Sequence, residues 1–508
     1  MWTYLSLITV FSNLNSGGTN NEKDIFGVSP IFNFQFSISH AQINYSETNN
    51  LFYHALRTPQ SNIDNMAFFP TNNTFYLMLP GADIQLGSPI GVNNFLRYDK
   101  KSQNTLIDIN TIFDNMSEKN NFRLAANVNL LGFGFKVNNM FFTFNTRIVS
   151  NLSFGFPKST VDAILQGNIT ETGAIVPEVE MLNGDILNVT SYLETSLGMG
   201  YKFEDLGLTV GGRVKLLGGI ANIQTDNTKI VFNTEDNVDS VSARMYYEIH
   251  LSTFAPYDTN KHQFVVKMGD VFSNLNTGLA FDLGAKYEMG PFTFSLAIND
   301  LTAGIHWKNN VSTWTPEGGQ GLIEFNGLDV STILNNGTFN IDSVTTYIRD
   351  QISSMTPSRE DAGDYWFPIP TKINLGASYS FAKILRAGLL FHGQLDRGLL
   401  CKSSSSSGFK QSVSNTFRFN TTLTLGANFY NWAEVIVGNS LVSDGSTFDP
   451  FNPGIGIILT PFTIAQLYFM ADYISNFYLI ESKAVNLKFG LNILIGKGDR
   501  TKIEAVKE

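Results

Sequence analysis

Charge and cysteine are what this chain has least of. Charged residues fill 15% of its 508 positions, where soluble domains carry roughly 25%. The formal net charge is −10 and no basic block occurs, so a nucleic-acid backbone meets no electrostatic footprint. One cysteine, Cys401, stands beside the serine run 403–407; it excludes an intramolecular disulfide framework and a thiolate metal cluster. The six histidines (His40, His54, His250, His262, His306, His392) lack H-x-E or H-x-x-x-H spacing. No G-x-S-x-G elbow is present. The pairs Gly211-Gly212 and Gly218-Gly219 are followed by no Lys-Ser/Thr and read as kinks in a strand. The expectation is a chain with no catalytic site, no metal and no cofactor.

A charge-free run also needs weighing. Residues 450–471 carry no charge and are long enough to span a bilayer as a helix. Pro461 stands in the middle, with glycines at the start and β-branched residues throughout. Two strands joined near 460–461 are expected instead.

What is present is aromatic and glycine-rich: aromatics reach 13% and there are 43 glycines. That mixture suits long strands with tight turns and argues against disorder. Period-two segments recur at 74–86, 123–135, 140–152, 191–203, 206–223, 277–288 and 292–300. They continue at 370–381, 384–395, 416–429, 432–441, 454–460, 465–474 and 485–496, about fourteen in all.

The connections are sorted by length. Short ones (136–139, 204–205, 289–291, 382–383, 430–431) alternate with long ones (153–190, 224–276, 301–369, 396–415, 442–453). Short turns at one end and long loops at the other are the mark of a transmembrane β-barrel. Within the long loops, 228–254 reads as a projecting hairpin, and 159–167 and 341–355 have helical apolar spacing.

Each strand sorts its side chains. Leu193, Leu197, Met199, Tyr201 and Phe203 share a face, with Thr195 the exception, while Glu194 and Lys202 oppose them. Leu208, Val210, Val214 and Leu216 oppose Arg213 and Lys215; Leu279, Phe281, Leu283 and Tyr287 oppose Asp282 and Lys286. An Arg or Lys turned to lipid at the bilayer midplane costs about 2–4 kcal/mol, so the ionic register must face an enclosed wet interior. Closure follows, because an open sheet edge in hydrocarbon leaves N–H and C=O groups unsatisfied. The expected fold is all-β: a transmembrane antiparallel barrel of about fourteen strands.

The lumenal candidates are Arg213, Lys215, Asp282, Lys286, Arg386, Arg418 and Glu434. They either pair with one another across the barrel or hold the headgroup or carboxylate of an amphipathic solute.

The expected organisation is an export signal or extended leader over 1–41, with cleavage after Ser39-His40-Ala41, or else a disordered leader. A plug-like segment at 42–73, the barrel at 74–496 and a polar periplasmic tail at 497–508 follow. In the segment before the first strand, Phe52, Tyr53, Phe68, Phe69, Phe75 and Tyr76 cluster in sequence; they suit an apolar lumen or ordinary packing.

The stretches NNLFYHALRTPQSNIDNMAFFP, FYLMLPGADIQLG, NVNLLGFGFKVNNMFFTFNTR and VGGRVKLLGGIANIQTDN carry a resemblance. The chain resembles an outer-membrane barrel family of Bacteroidota related to the long-chain fatty-acid transporter (FadL-like) barrels. That resemblance implies an N-terminal plug inside a fourteen-strand barrel in the outer membrane of a Gram-negative bacterium. It places the plug motif at Asn65, Ala67 and Phe68, where relatives have Asn-Pro-Ala-Phe and this chain has Met66 for the proline; a family-like turn there is therefore open. Partners so implied are outer-membrane lipid, hydrophobic small molecules and, through the long loops, a protein. The functions to separate are a passive channel for hydrophobic or amphipathic small molecules, a scaffold or shuttle for secreted or surface proteins, and a soluble secreted β protein.

Overall fold

Fourteen antiparallel strands close on themselves in the computed structural model. It describes residues 50–70, 73–88, 96–99, 104–107, 116–160, 178–184, 186–234, 241–258, 263–265, 275–319, 321–325, 334–335, 338–339, 357–381, 384–401, 417–429, 432–443, 448–461, 464–474 and 483–496. The leader 1–41, the tail 497–508, the helical pattern 341–355 and most of 159–167 lie outside the described residues.

Strand β1 comes in two pieces, Phe75–Met78 and Gly81–Gly87, parted at Leu79-Pro80, where proline offers no N–H to the ladder. Then come β2 (Lys119–Val137), β3 (Met140–Pro157), β4 (Leu187–Phe203), β5 (Leu208–Thr234), β6 (Asn276–Met289) and β7 (Phe292–Trp307). The second half is β8 (Thr371–Phe381), β9 (Leu385–Leu395), β10 (Phe417–Phe429) and β11 (Ala433–Ser443). It ends with β12 (Phe448–Leu459), β13 (Ala465–Asp472) and β14 (Ala484–Ile495). Closure is made by β1, which pairs with β14 on one side (Ala82↔Phe489) and β2 on the other (Ala82↔Val128). The uncharged run 450–471 is β12 and β13, as its proline and glycines imply.

The short connections are tight because their residues tolerate it. Asn138, at φ 53°, turns β2 into β3, and Gly290, at φ 57°, turns β6 into β7. At the other end β5 runs 27 residues, far beyond the roughly 9–11 that cross a bilayer. Its outer half pairs with the strand Val241–Thr253, from Thr234↔Val241 to Ala221↔Thr253. The projecting hairpin read at 228–254 is therefore built on a continuous barrel strand.

Alternation decides which face is which. Leu197 and Leu216 are 65% and 62% exposed, whereas Lys215, next to Leu216, is 1% exposed. Leu283, Leu375, Leu423, Leu467 and Phe489 stand outward on their strands in the same way. Aromatic side chains gather on the outer face near the short turns: Tyr201 and Phe203, Phe292 and Tyr379, Tyr379 and Phe381 pack edge to face at 4.6–4.7 Å. That girdle is where amphipathic rings settle at a membrane interface. Among the described residues no helix is long and apolar enough to cross a membrane; the strands do the crossing.

The glycine pairs are not kinks of one kind. Gly211-Gly212 sits in an unbroken ladder on both sides, and Gly211 instead leaves room for the Met66 carbonyl inside the barrel. Gly218-Gly219 does adjoin an irregularity: the register slips between Ser191↔Ala221 and Tyr192↔Gly219.

Candidate functional site

The interior is built from the N-terminal segment upward. Residues 50–70 lie within the ring of strands and hold two short helices, α1 (Asn50–Tyr53) and α2 (Ser61–Asp64), which periodicity did not reveal. Asn50, Ala55, Thr58, Ser61 and Asn65 are all 0% exposed.

This segment touches strands on every side. Asn50 Nδ2 donates to Ser440 Oγ on β11 at 3.0 Å, and Gln60 Nε2 to Asn492 Oδ1 on β14 at 2.8 Å. Tyr53 and Ser295 on β7 share a hydrogen bond of 2.8 Å. Asn374 on β8 and Asn299 on β7 both donate to the Asp64 carbonyl. Where the contacts are apolar they form two patches. Leu51, Phe52 and Ala55 pack on Ile436, Ile458, Tyr468 and Met470; Met66 and Phe69 pack on Tyr76, Met78, Phe141 and Leu494. Counted along the strands, both patches lie near the short-turn end. The sequence cluster of six aromatics thus splits: Phe75 alternates with Tyr76 and takes the outer-face register of Phe135 and Ile495.

The Asn65-Met66-Ala67-Phe68 stretch does turn, without a proline. Phe68 N–H donates to Asn65 O and Ala67 N–H to Asn65 Oδ1, both at 2.9 Å. The Asn side chain itself closes the turn. Asn65 Nδ2 reaches Tyr53 Oη at 3.2 Å, and Phe68 packs edge-on against Tyr53, with centroids 5.1 Å apart. Ala67 is 1% exposed.

Above the segment the wall carries an ionic network. Arg213 donates to Asp282 Oδ2 at 3.1 Å, and Lys215 Nζ lies 2.9 Å from Asp282 and 2.6 Å from Asp300. Lys215 also stands 3.7 Å from Glu194, which accepts two hydrogen bonds from Arg147 at 2.9 and 3.0 Å. Four strands, β3 to β6, and β7 through Asp300 are tied by one chain of charges. Buried charges survive only with such saturation. Arg213 further donates to Asn62, to its carbonyl at 2.8 Å and its Oδ1 at 2.5 Å.

Of the seven lumenal residues singled out in the sequence, three meet here: Arg213, Lys215 and Asp282. Lys286 lies nearer the short turns against Glu288 at 3.1 Å. Arg386 donates to the His54 carbonyl at 3.2 Å, and Glu434 is 3% exposed with Arg386 and Arg57 as the charges acting on it. Arg418 pairs with Asp396 at the long-loop end. All are partly or wholly buried and all face inward. Sequence reasoning missed Arg147, Asp300, Asn62 and His54. His54 is held neutral: burial, then the Arg386 charge, lower its pKa to about 4.

Between the inner segment and the long-loop end remains a cavity of about 50 Å³. Arg147, Lys215, Lys372, Asp64, Asp83 and Asp300 are among its lining. One water needs about 10–15 Å³ on this measure, so the space takes a few waters and no organic solute. Toward the loop end an apolar cluster gathers Tyr192, Leu217, Trp307, Val311, Tyr365 and Phe367.

Fold and interior together define a transmembrane β-barrel of fourteen strands with residues 50–70 buried against its inner wall. The chain belongs to DUF5723, a family of unknown function, whose model matches residues 67–472. No curated protein matches the chain in sequence. Among solved structures it is similar to a TodX monoaromatic hydrocarbon channel mutant (10% identity, 87% of this chain and 95% of that one, TM-score 0.44). It is also similar to the Ralstonia pickettii toluene transporter TbuX (8% identity, 86% and 94%, TM-score 0.42). A Pseudomonas aeruginosa FadL homologue aligns at 11% identity over 89% and 99%, TM-score 0.41. These superpositions are loose; the barrel itself rests on this chain's own ladders.

Proposed function

We propose that the chain is an outer-membrane channel for amphipathic or hydrophobic small molecules, with residues 50–70 as its movable obstruction. The observation that carries this reading is the division of the inner wall. Near the short turns the wall presents Ile436, Ile458, Tyr468, Met470, Met78 and Phe141 to the lumen, and further along β5 and β6 it presents Arg213, Lys215 and Asp282. Displacement of the segment exposes an apolar lining beside an ionic one, which matches a solute with a greasy body and a charged head. The cavity of about 50 Å³ holds only a few waters, so passage of a solute by way of it requires that displacement.

The test uses lipid vesicles holding the barrel with Cys401→Ser, Asn50→Cys and Ser440→Cys, a pair whose native side chains meet at 3.0 Å. Uptake of a fluorescent fatty-acid analogue is expected to depend on the protein and to stop when a short bis-maleimide alkylates both thiols and bridges the pair. Uptake equal to that of empty vesicles, or indifferent to the bridge, ends the proposal.

A second reading is supported by the 27-residue β5, which carries a sheet well beyond the membrane. A scaffold or shuttle for a secreted or surface protein would use such a platform. Recovery of a stoichiometric partner that is lost when 235–240 is shortened, with no solute uptake in vesicles, favours that reading over the channel.

A further inference from the structure

The outer half of β5 and the strand Val241–Thr253 place four polar side chains in a square. Asp226 stands directly opposite Glu248, and Gln224 directly opposite His250. Cross-strand partners and residues two apart share a face, so all four point the same way. That face is the inner one: Gln224 is 2% exposed and His250 6%.

Two carboxylates facing each other across a ladder repel, and the basic residues nearest along these two strands are turned elsewhere. Lys229 pairs with Glu180 at 2.8 Å and Arg244 with Glu178 at 3.6 Å. His250 completes the group. Its Nδ1 lies 3.2 Å from Thr313 Oγ1, and its Nε2 lies 3.3 Å from Glu248 Oε1. One ligand atom each from Asp226, Glu248 and His250 falls within 4.8 Å of the others. The amide oxygen of Gln224, buried beside them, has no hydrogen-bond partner.

We propose that Asp226, Glu248 and His250 bind a divalent transition-metal ion of the Zn²⁺ class at the loop-side mouth of the barrel. The chemistry of the donors selects the ion. Zn²⁺ takes imidazole nitrogen and carboxylate oxygen at about 2.0–2.2 Å in a tetrahedron, which sets its ligands about 3.4 Å apart. His250 Nε2 and Glu248 Oε1 already stand at 3.3 Å, and a rotamer adjustment brings in Asp226. Ca²⁺ prefers six to eight oxygens and gains nothing from the imidazole. The Thr313 hydroxyl on Nδ1 orients the ring so that Nε2 aims at the carboxylates, as an outer partner of a metal-bound histidine does. The fourth position falls to water or to the Gln224 amide oxygen. Bound metal ties β5, Val241–Thr253 and, through Thr313, the strand Ser312–Pro316 into one unit above the membrane.

The experiment titrates Zn²⁺ into the full-length barrel in detergent, with Cys401→Ser and after chelator treatment, by calorimetry. Saturable binding at one ion per chain is expected, weakened at least tenfold in His250→Ala and in Asp226→Asn and about tenfold in Thr313→Val. Far-ultraviolet circular dichroism is expected to be the same for all four proteins, so that loss of binding is not loss of fold. Zn²⁺ should also slow amide exchange within 222–226 and 248–253. Absence of saturable binding, binding that survives His250→Ala, or Ca²⁺ binding of equal affinity overturns the proposal.

Discussion

Arg213 and Asp282 are partners twice over: they face each other in the β5–β6 register and their side chains form an ion pair of 3.1 Å. Each side chain is 1% exposed. The strand ladder therefore sets the geometry that the charges use, and the guanidinium has donors left over for Asn62 of the inner segment. Arg213 thus ties the ionic wall to the inner segment, beside the contacts of Asn50, Tyr53 and Gln60.

Removing one partner of a buried pair costs about 3–5 kcal/mol, because the other is left uncompensated. For Arg213→Met the lower end is expected, since Lys215 remains 2.9 Å from Asp282. Denaturant unfolding in detergent measures it. The same variant should raise amide exchange across 58–66, where Asn62 loses its donor. Lys286→Met, whose partner Glu288 is 33% exposed, should cost under about 1 kcal/mol.

Acid should loosen the interior through His54. Unfolded, its imidazole takes up a proton below about pH 6.5; folded, burial withholds that proton until about pH 4. Between these values the unfolded chain binds more protons, so stability falls as pH falls, by on the order of 3 kcal/mol in total, and levels off below the lower value. The denaturant midpoint of the native barrel should drop across that window by more than that of His54→Asn. Parallel curves for the two proteins would contradict this.

The close approach of the inner segment to β6 makes a further test. A side chain at Gly284 meets Asn65 Oδ1 and the backbone nitrogens of Met66 and Ala67. Gly284→Val should therefore push the Asn65–Phe68 turn off the wall, at a cost of about 1–3 kcal/mol, and speed amide exchange in 61–69. Leu283→Ala, one residue away on the outer face, should leave that exchange unchanged.

These contacts show what a sequence can carry. The inward register of Asp282 and the outward register of Leu283 were legible because strand period is two and one slip reverses every residue. The fourteen strands and the sorting of loop lengths were legible for the same local reason. Which charge meets which was not, since Arg213 and Asp282 are 69 positions apart and long loops set how the strands align. Asp300 was hidden by a break in the pattern: it sits at φ 61°, near shifts in the β6–β7 register. Its Asn-Asp dipeptide inside a strand was the available signal. The two helices of the inner segment were hidden because each is four residues long, too short for a helical period to show. Their polar residues are satisfied by strands hundreds of positions away, as Asn50 is by Ser440.

The outward face yields the sharpest contrast. Leu283 is 54% exposed and lies six residues before Met289, the end of β6, while Leu206 is 62% exposed in the short turn at the same end of the barrel. At about 3.3 Å of rise per residue along a strand tilted roughly 45°, six residues climb about 14 Å, so Leu283 sits close to the middle of the hydrocarbon and Leu206 at its edge. An arginine costs about 2–4 kcal/mol at the midplane and about 0–1 near the interface. Folding into lipid vesicles should therefore be weakened about 30-fold to 900-fold for Leu283→Arg and little for Leu206→Arg. In a water-facing sheet both substitutions would be near neutral, so equal small effects would show that these leucines meet water rather than lipid.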